Sequence, residues 1–140
     1  GCGLATACDL VLAAESAQFG YPEVQRGFVP AIVLNMLRRT VGEKVAFDLA
    51  STGRLLTASE AAAAGLISRV YEDADFEEQA ADVLRTLTSI GPSSLAFTKQ
   101  HFYRLEGTAF EQGIRLGAEV NAVSRTTPEF RLALSAFLKK

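Results

Sequence analysis

The chain has 140 residues, 49% of them hydrophobic and 21% charged, with Lys+Arg 14 against Asp+Glu 16 and a formal charge of −2. That apolar content with so little net charge excludes a disordered chain and leaves one domain or part of one. The balance lacks the basic face of a general nucleic-acid binder, and no apolar run approaches the roughly 18 residues of a membrane span. Cys2 and Cys8 make neither a disulfide framework nor a zinc pattern, so a reducing, cytoplasmic compartment is expected.

The single methionine is Met36, and Gly1-Cys2-Gly3-Leu4-Ala5 reads as the interior of a structure. The expectation is therefore a piece, or a mature end, of something longer. Leu10-Val11-Leu12 reads as a buried strand and Ala17-Gln18-Phe19 as a second, separated by a turn at Glu15-Ser16 and ended by Gly20. Tyr21-Pro22-Glu23 must be irregular or the start of an element, because Pro22 has no N–H and biases Tyr21 toward extended geometry. Pro30 suits the first turn of a helix running to about Thr40 and closed by Gly42, and a further helix follows from Glu43 to near Gly53.

Three capping boxes mark later helix starts: Thr57-Ala58-Ser59-Glu60, Thr108-Ala109-Phe110-Glu111 and Thr126-Thr127-Pro128-Glu129. Asp75-Phe76-Glu77-Glu78 offers an Asp cap in the same pattern. Leu66 to Val70 reads as a short strand after Gly65. Phe76, Ala80, Val83, Leu84 and Leu87 share a helical stripe that stops at Gly91-Pro92, and helices over 92–105, 108–124 and 126–140 complete the chain. The acidic stretch Glu72-Asp73-Ala74-Asp75 reads as a hinge, giving a core region 1–73 and a helical region 74–140. The stripes of the last two helices must be hidden, by folding back on the first half or by packing on a second copy.

The run Ala5-x-x-Cys8-Asp9-Leu10-x-Leu12-Ala13-x-Glu15-x-Ala17-x-Phe19-Gly20-x-Pro22-Glu23, followed by Gly27-x-x-Pro30, resembles the enoyl-CoA hydratase/isomerase (crotonase) superfamily. Thr52-Gly53-Arg54, Ala58-x-Glu60-Ala61-x-x-x-Gly65-Leu66-Ile67-x-Arg69-Val70, Pro92-x-x-x-Ala96-x-x-Lys99 and Pro128-Glu129-Phe130-x-x-x-Leu134-x-Ala136-Phe137-Leu138 continue the likeness in order to the end of the chain. The resemblance implies an α/β fold: the C-terminal part of a spiral ββα crotonase core, followed by a helical oligomerisation region. It also implies a homotrimer or homohexamer, with no partner nucleic acid.

The same resemblance implies a mechanism. Enzymes of this family polarise the carbonyl of an acyl-CoA thioester with two backbone N–H groups, so that an enolate-like intermediate is tolerated. One donor belongs to a Gly-rich turn, and Gly1 adjoins its position. Hydratases of the family add two glutamates, one to activate water and one to protonate carbon. The second falls on Glu23, among the apolar neighbours Phe19, Tyr21, Val24 and Phe28; the first falls on Gly3, which has no side chain. A single glutamate suits relatives that move a double bond from the 3- to the 2-position, and isomerase-type chemistry is favoured here over two-acid hydration.

The resemblance also makes Tyr21 and Pro30 candidates for substrate binding, and Phe137 and Lys140 candidates near the nucleotide end of CoA. No cofactor beyond the coenzyme A of the substrate, and no metal, is implied. Pro30-Ala31-Ile32-Val33 departs from the Gly-rich turn of many relatives and should reshape the acyl pocket. His101, the sole histidine, reads as a surface or half-buried helix residue, and Arg26 and Arg54 as loop supports. The rival readings are a non-catalytic CoA-binding or scaffold homologue that lost a catalytic acid, and a helical interaction module with a short β segment.

Overall fold

A computed structural model gives the arrangement of the chain and describes residues 1–139. The order is α1 (Cys2–Thr6), β1 (Leu12–Ala14), β2 (Gln18–Gly20), a 3-10 turn (Pro22–Arg26), α2 (Ala31–Val41), α3 (Glu43–Thr52), β3 (Leu55–Thr57), α4 (Ala58–Ala63), β4 (Arg69–Tyr71), α5 (Phe76–Ser89), α6 (Pro92–Arg104), α7 (Phe110–Ser124) and α8 (Pro128–Phe137). Two compact units divide the chain, Gly1–Asp82 and Val83–Lys140, with the division inside α5. No described helix is long and apolar enough to cross a membrane.

The first unit carries the β structure as two short ladders. β1 and β4 run parallel, with Leu12 opposite Arg69 and Ala14 opposite Tyr71, while β2 and β3 run antiparallel, with Phe19 opposite Leu56. Gly20 closes β2 where a β-carbon would lie 2.6 Å from Leu55 Cδ2 and 3.1 Å from the Arg54 carbonyl oxygen, so any larger residue would force Leu55 and the Arg54 backbone to give way. The alternation of side chains along these strands sends Ala13, Phe19 and Leu56 inward. There they join Tyr21, Val33, Leu37, Ala46, Leu49, Ala58, Ala61, Leu66 and Ile67 in one core.

Local chemistry explains the helix limits of this unit. α2 presents Val33 and Leu37, one helical turn apart, to the core, and Gly42 ends it with φ of 79°. Gly42 also caps α3, which buries Ala46, Leu49 and Ala50. The Thr57 box forms as expected: its hydroxyl accepts from the Glu60 N–H at 3.2 Å and the Glu60 carboxylate accepts from the Thr57 N–H at 2.8 Å. That hydrogen bonding holds the Glu60 carboxyl below the usual carboxylate range. Ser16 bonds the Asp73 carboxylate, fixing the β1–β2 turn to the segment after β4.

Several boundaries differ from the sequence reading. The first strand begins at Leu12 and Leu10 is 51% exposed, because the apolar run is longer than the ladder that β4 can offer. The strand after Gly65 starts only at Arg69, since Leu66 and Ile67 are buried in a turn instead. β3 and the helical form of 22–26 were not anticipated.

In the second unit, the Thr108 box does not form: α7 starts at Phe110, and the Thr108 hydroxyl donates back to the Arg104 carbonyl at 2.8 Å. The last box is displaced by one residue, with Thr127 rather than Thr126 accepting from Phe130 N–H at 3.2 Å, so that Pro128 takes the first helical position. None of the described residues of this unit is buried, and Phe110, Ile114, Leu132 and Phe137 are among its exposed apolar side chains.

Two substitutions report on the core unit. Leu49→Ala, which empties a fully buried site, is expected to cost about 2–5 kcal/mol, and Thr57→Ala about 1 kcal/mol through loss of the cap. Denaturant melts of the two variants check the difference; equal losses would mean that Leu49 is not central to the core.

Candidate active site

Glu23 sits on the 3-10 turn that follows β2, and three contacts hold the turn. Pro22 starts it at a position that needs no N–H, and Gly27 closes it in the left-handed region, φ 76°. The Phe28 N–H donates to the Glu23 carbonyl at 2.9 Å. From the side, the Gln25 amide donates to the carbonyls of Thr52 at 3.1 Å and Gly53 at 3.2 Å, tying the turn to the end of α3. Arg54 is held by its ion pair with Asp48, at 2.7 Å. Glu23 itself is half-buried, and its Oε2 is closed off from solvent with no hydrogen-bond partner.

Tyr21, immediately before the turn, is 1% exposed. Its hydroxyl lies 2.5 Å from Thr6 Oγ1, and the Thr6 hydroxyl donates to the Cys2 carbonyl at 2.8 Å. Thr6 has one hydroxyl proton and gives it to Cys2, so the phenol of Tyr21 is the donor to Thr6. Burial, with the Cys2 thiol beside it, drives the Tyr21 phenol well above its ordinary range against the opposing effect of Thr6.

Gly1 is exposed ahead of α1, and its carbonyl accepts from the Ala5 N–H at 3.0 Å. Gly3 faces α2: a β-carbon there would lie 3.5 Å from Val33 Cγ2, in ordinary contact. Val33, the side chain nearest that position, is buried. Pro30 is buried as the cap of α2. Phe137 is 73% exposed on α8, and Lys140 lies outside the described residues. Thr6 and Gln25 had no place among the sequence candidates, and Val33 had one only within the Pro30-Ala31-Ile32-Val33 stretch expected to reshape the acyl pocket. Thr6 carried only a weak signal, its position one helical turn after Cys2.

The family description "Enoyl-CoA hydratase/isomerase" matches residues 1–140. The chain belongs to that family. It is 44% identical over 140 residues to a Thermus thermophilus protein whose name assigns it provisionally to the enoyl-CoA hydratases, covering 100% of this chain and 55% of that one. It is 32% identical over 141 residues to the 2,3-dehydroadipyl-CoA hydratase of Escherichia coli, again over 100% of this chain and 55% of that protein. Among solved structures, an enoyl-CoA hydratase from Mycobacterium smegmatis superposes with a TM-score of 0.94 at 27% identity, over 99% of this chain and 54% of that one. Human enoyl-CoA hydratase domain-containing protein 3 does so at 0.94 and 25%, over 99% and 55%.

The crotonase fold and the family membership expected from the motifs are thus correct. The chain spans about half the length of the relatives it matches.

The raised Tyr21 proton affinity has a signed consequence. An unfolded tyrosine ionises near pH 10 and the folded one does so higher, so this residue's contribution is complete below about pH 10 and is lost as pH climbs past it. As pH rises above about 10, stability should fall more steeply for the natural protein than for Tyr21→Phe, by up to about 1.4 kcal/mol per pH unit. Parallel slopes in thermal melts would remove the claim.

Proposed function

We propose that the full-length protein acts on acyl-CoA thioesters, with Glu23 as its single acid/base group and amide hydrogens beside Gly1 receiving charge on the thioester oxygen. The carrying observation is the Glu23 carboxylate oxygen that is shut off from water without a hydrogen bond. Leaving such an atom unsatisfied costs free energy, and proteins retain the arrangement where the group has other work.

The chemistry follows from having one carboxylate. Glu23 takes a proton from C2 of a 3-enoyl thioester, and the electron pair moves onto the carbonyl oxygen, where backbone N–H groups stabilise it. The same carboxyl then returns the proton to C4, and the double bond ends between C2 and C3. No water is consumed and no second acid is required. Gly3 supports this form over two-acid hydration, because it offers no second carboxylate; Val33 is the side chain nearest its β-carbon position.

Within this reading Tyr21 and Pro30, both buried, would back the acyl site from beneath, and Phe137 and Lys140 would meet the nucleotide end of CoA. A homotrimer or homohexamer is part of the proposal, supported by the exposed apolar residues of α7 and α8. Coenzyme A enters as part of the substrate, and a cytoplasmic location is proposed with it.

Two experiments on the full-length protein test the reading. Glu23→Gln should lower turnover of 3-enoyl-CoA thioesters by about 10²–10⁴-fold while thioester binding, followed by calorimetry, persists. Binding without turnover in the unaltered protein would instead favour a non-catalytic CoA-binding homologue. Separately, Gly3→Glu alone should add little hydration of 2-enoyl-CoA, whereas Gly3→Glu with Val33→Ala should raise it about tenfold or more. Equal hydration by the single and double variants would show that Val33 does not guard that position.

A further inference from the structure

We propose that Tyr21 and Thr6 are a positioning pair that fixes the Glu23 turn against the first turn of α1, an inference that rests on reading Glu23 as the acid/base group. The pair bridges the two segments to which that reading gives chemistry. Tyr21 stands two residues before Glu23, at the N-terminal cap of the 3-10 turn, and its backbone leads directly into it. Thr6 belongs to the helix that opens after Gly1, and its hydroxyl returns the link to the Cys2 carbonyl in the first turn.

The hydrogen bonds form one directed chain, phenol O–H to Thr6 oxygen and Thr6 O–H to Cys2 carbonyl, in which each hydroxyl proton is used once. It is dry: Tyr21 is 1% exposed, and Thr6, at 7%, is the only buried polar side chain among the described residues. A short bond in such surroundings has no water to compete with it and resists stretching, which makes it suited to holding a distance. The remaining groups at the turn do not share this task. Gln25 secures the far side to α3, and the Phe28 N–H secures only the turn itself. Proton transfer depends steeply on placement, so a turn released by a fraction of an ångström loses rate while a substrate anchored elsewhere keeps its affinity.

The test is a double-mutant cycle on the full-length protein, with Glu23→Gln measured beside it. Tyr21→Phe keeps the ring and removes the donor, Thr6→Val removes the acceptor, and Thr6→Ser keeps it. Each single deletion is expected to lower kcat about tenfold with KM within about twofold, the double variant to be no worse than either single, and Thr6→Ser to restore most of the rate. Ile67→Val, a core change away from the link, serves as the structural control and should lower the thermal midpoint without touching kcat.

Unchanged kcat in the singles, multiplicative losses in the double variant, or Thr6→Ser as impaired as Thr6→Val would each overturn the pair. Should Tyr21→Phe fail to fold, the Thr6→Ser and Thr6→Val comparison decides alone. If Glu23→Gln retains full turnover, the acid/base reading itself is wrong and this inference falls with it, an outcome distinct from a working Glu23 with an indifferent Tyr21.

Discussion

A five-residue turn held from two directions organises the candidate site. Pro22–Arg26 is too short to be stable by itself, since a single turn of helix cannot recover the entropy of ordering its backbone. Its order comes from outside: the buried Tyr21 ring on one flank and the Gln25 bonds to Thr52 and Gly53 on the other. With the turn pinned on both flanks, the backbone that carries Glu23 is held in place. The cost of a carboxylate oxygen without a partner is therefore carried by the core that Tyr21 joins, not by the turn.

The same logic links Gly3 to Val33. A buried face of α2 must present something to α1, and Val33 fills that place at van der Waals distance from Gly3. A β-carbon at position 3 would sit in ordinary contact with Val33, so this side of α1 meets an apolar neighbour. The two residues are therefore best understood together: Gly3 brings no side chain to this part of the site, and Glu23 is the carboxylate that the proposed chemistry relies on.

Much of this was legible in the sequence because the signals were local. Gly42 and Gly53 end helices where the reading put them, and the Thr57 box closes as written. The other two boxes show where local chemistry is outbid. Thr108 and Thr126 each spend their hydroxyl on a carbonyl of the preceding helix, Arg104 and Val123, before the next helix begins. A threonine between two helices can serve one or both, as Thr127 does by donating to the Ser124 carbonyl and accepting from the Phe130 N–H, and the pattern of residues alone does not decide which. β3 went unnoticed for a different reason, since a strand of three residues exists only by virtue of its partner β2.

The motif around Glu23 was visible, yet its supports were not. Thr6 and Tyr21 are fifteen positions apart and share no periodicity, and neither residue type signals a partner. Their meeting is decided by where α1 and β2 pack, which is a property of the folded core. Val33 was visible only as part of the Pro30-Ala31-Ile32-Val33 departure, and its place opposite Gly3 is a property of the fold. What a linear pattern reveals is the reactive group, because chemistry restricts the residue type. What it conceals is the scaffold that holds that group, because many side chains can fill a volume or satisfy a hydroxyl.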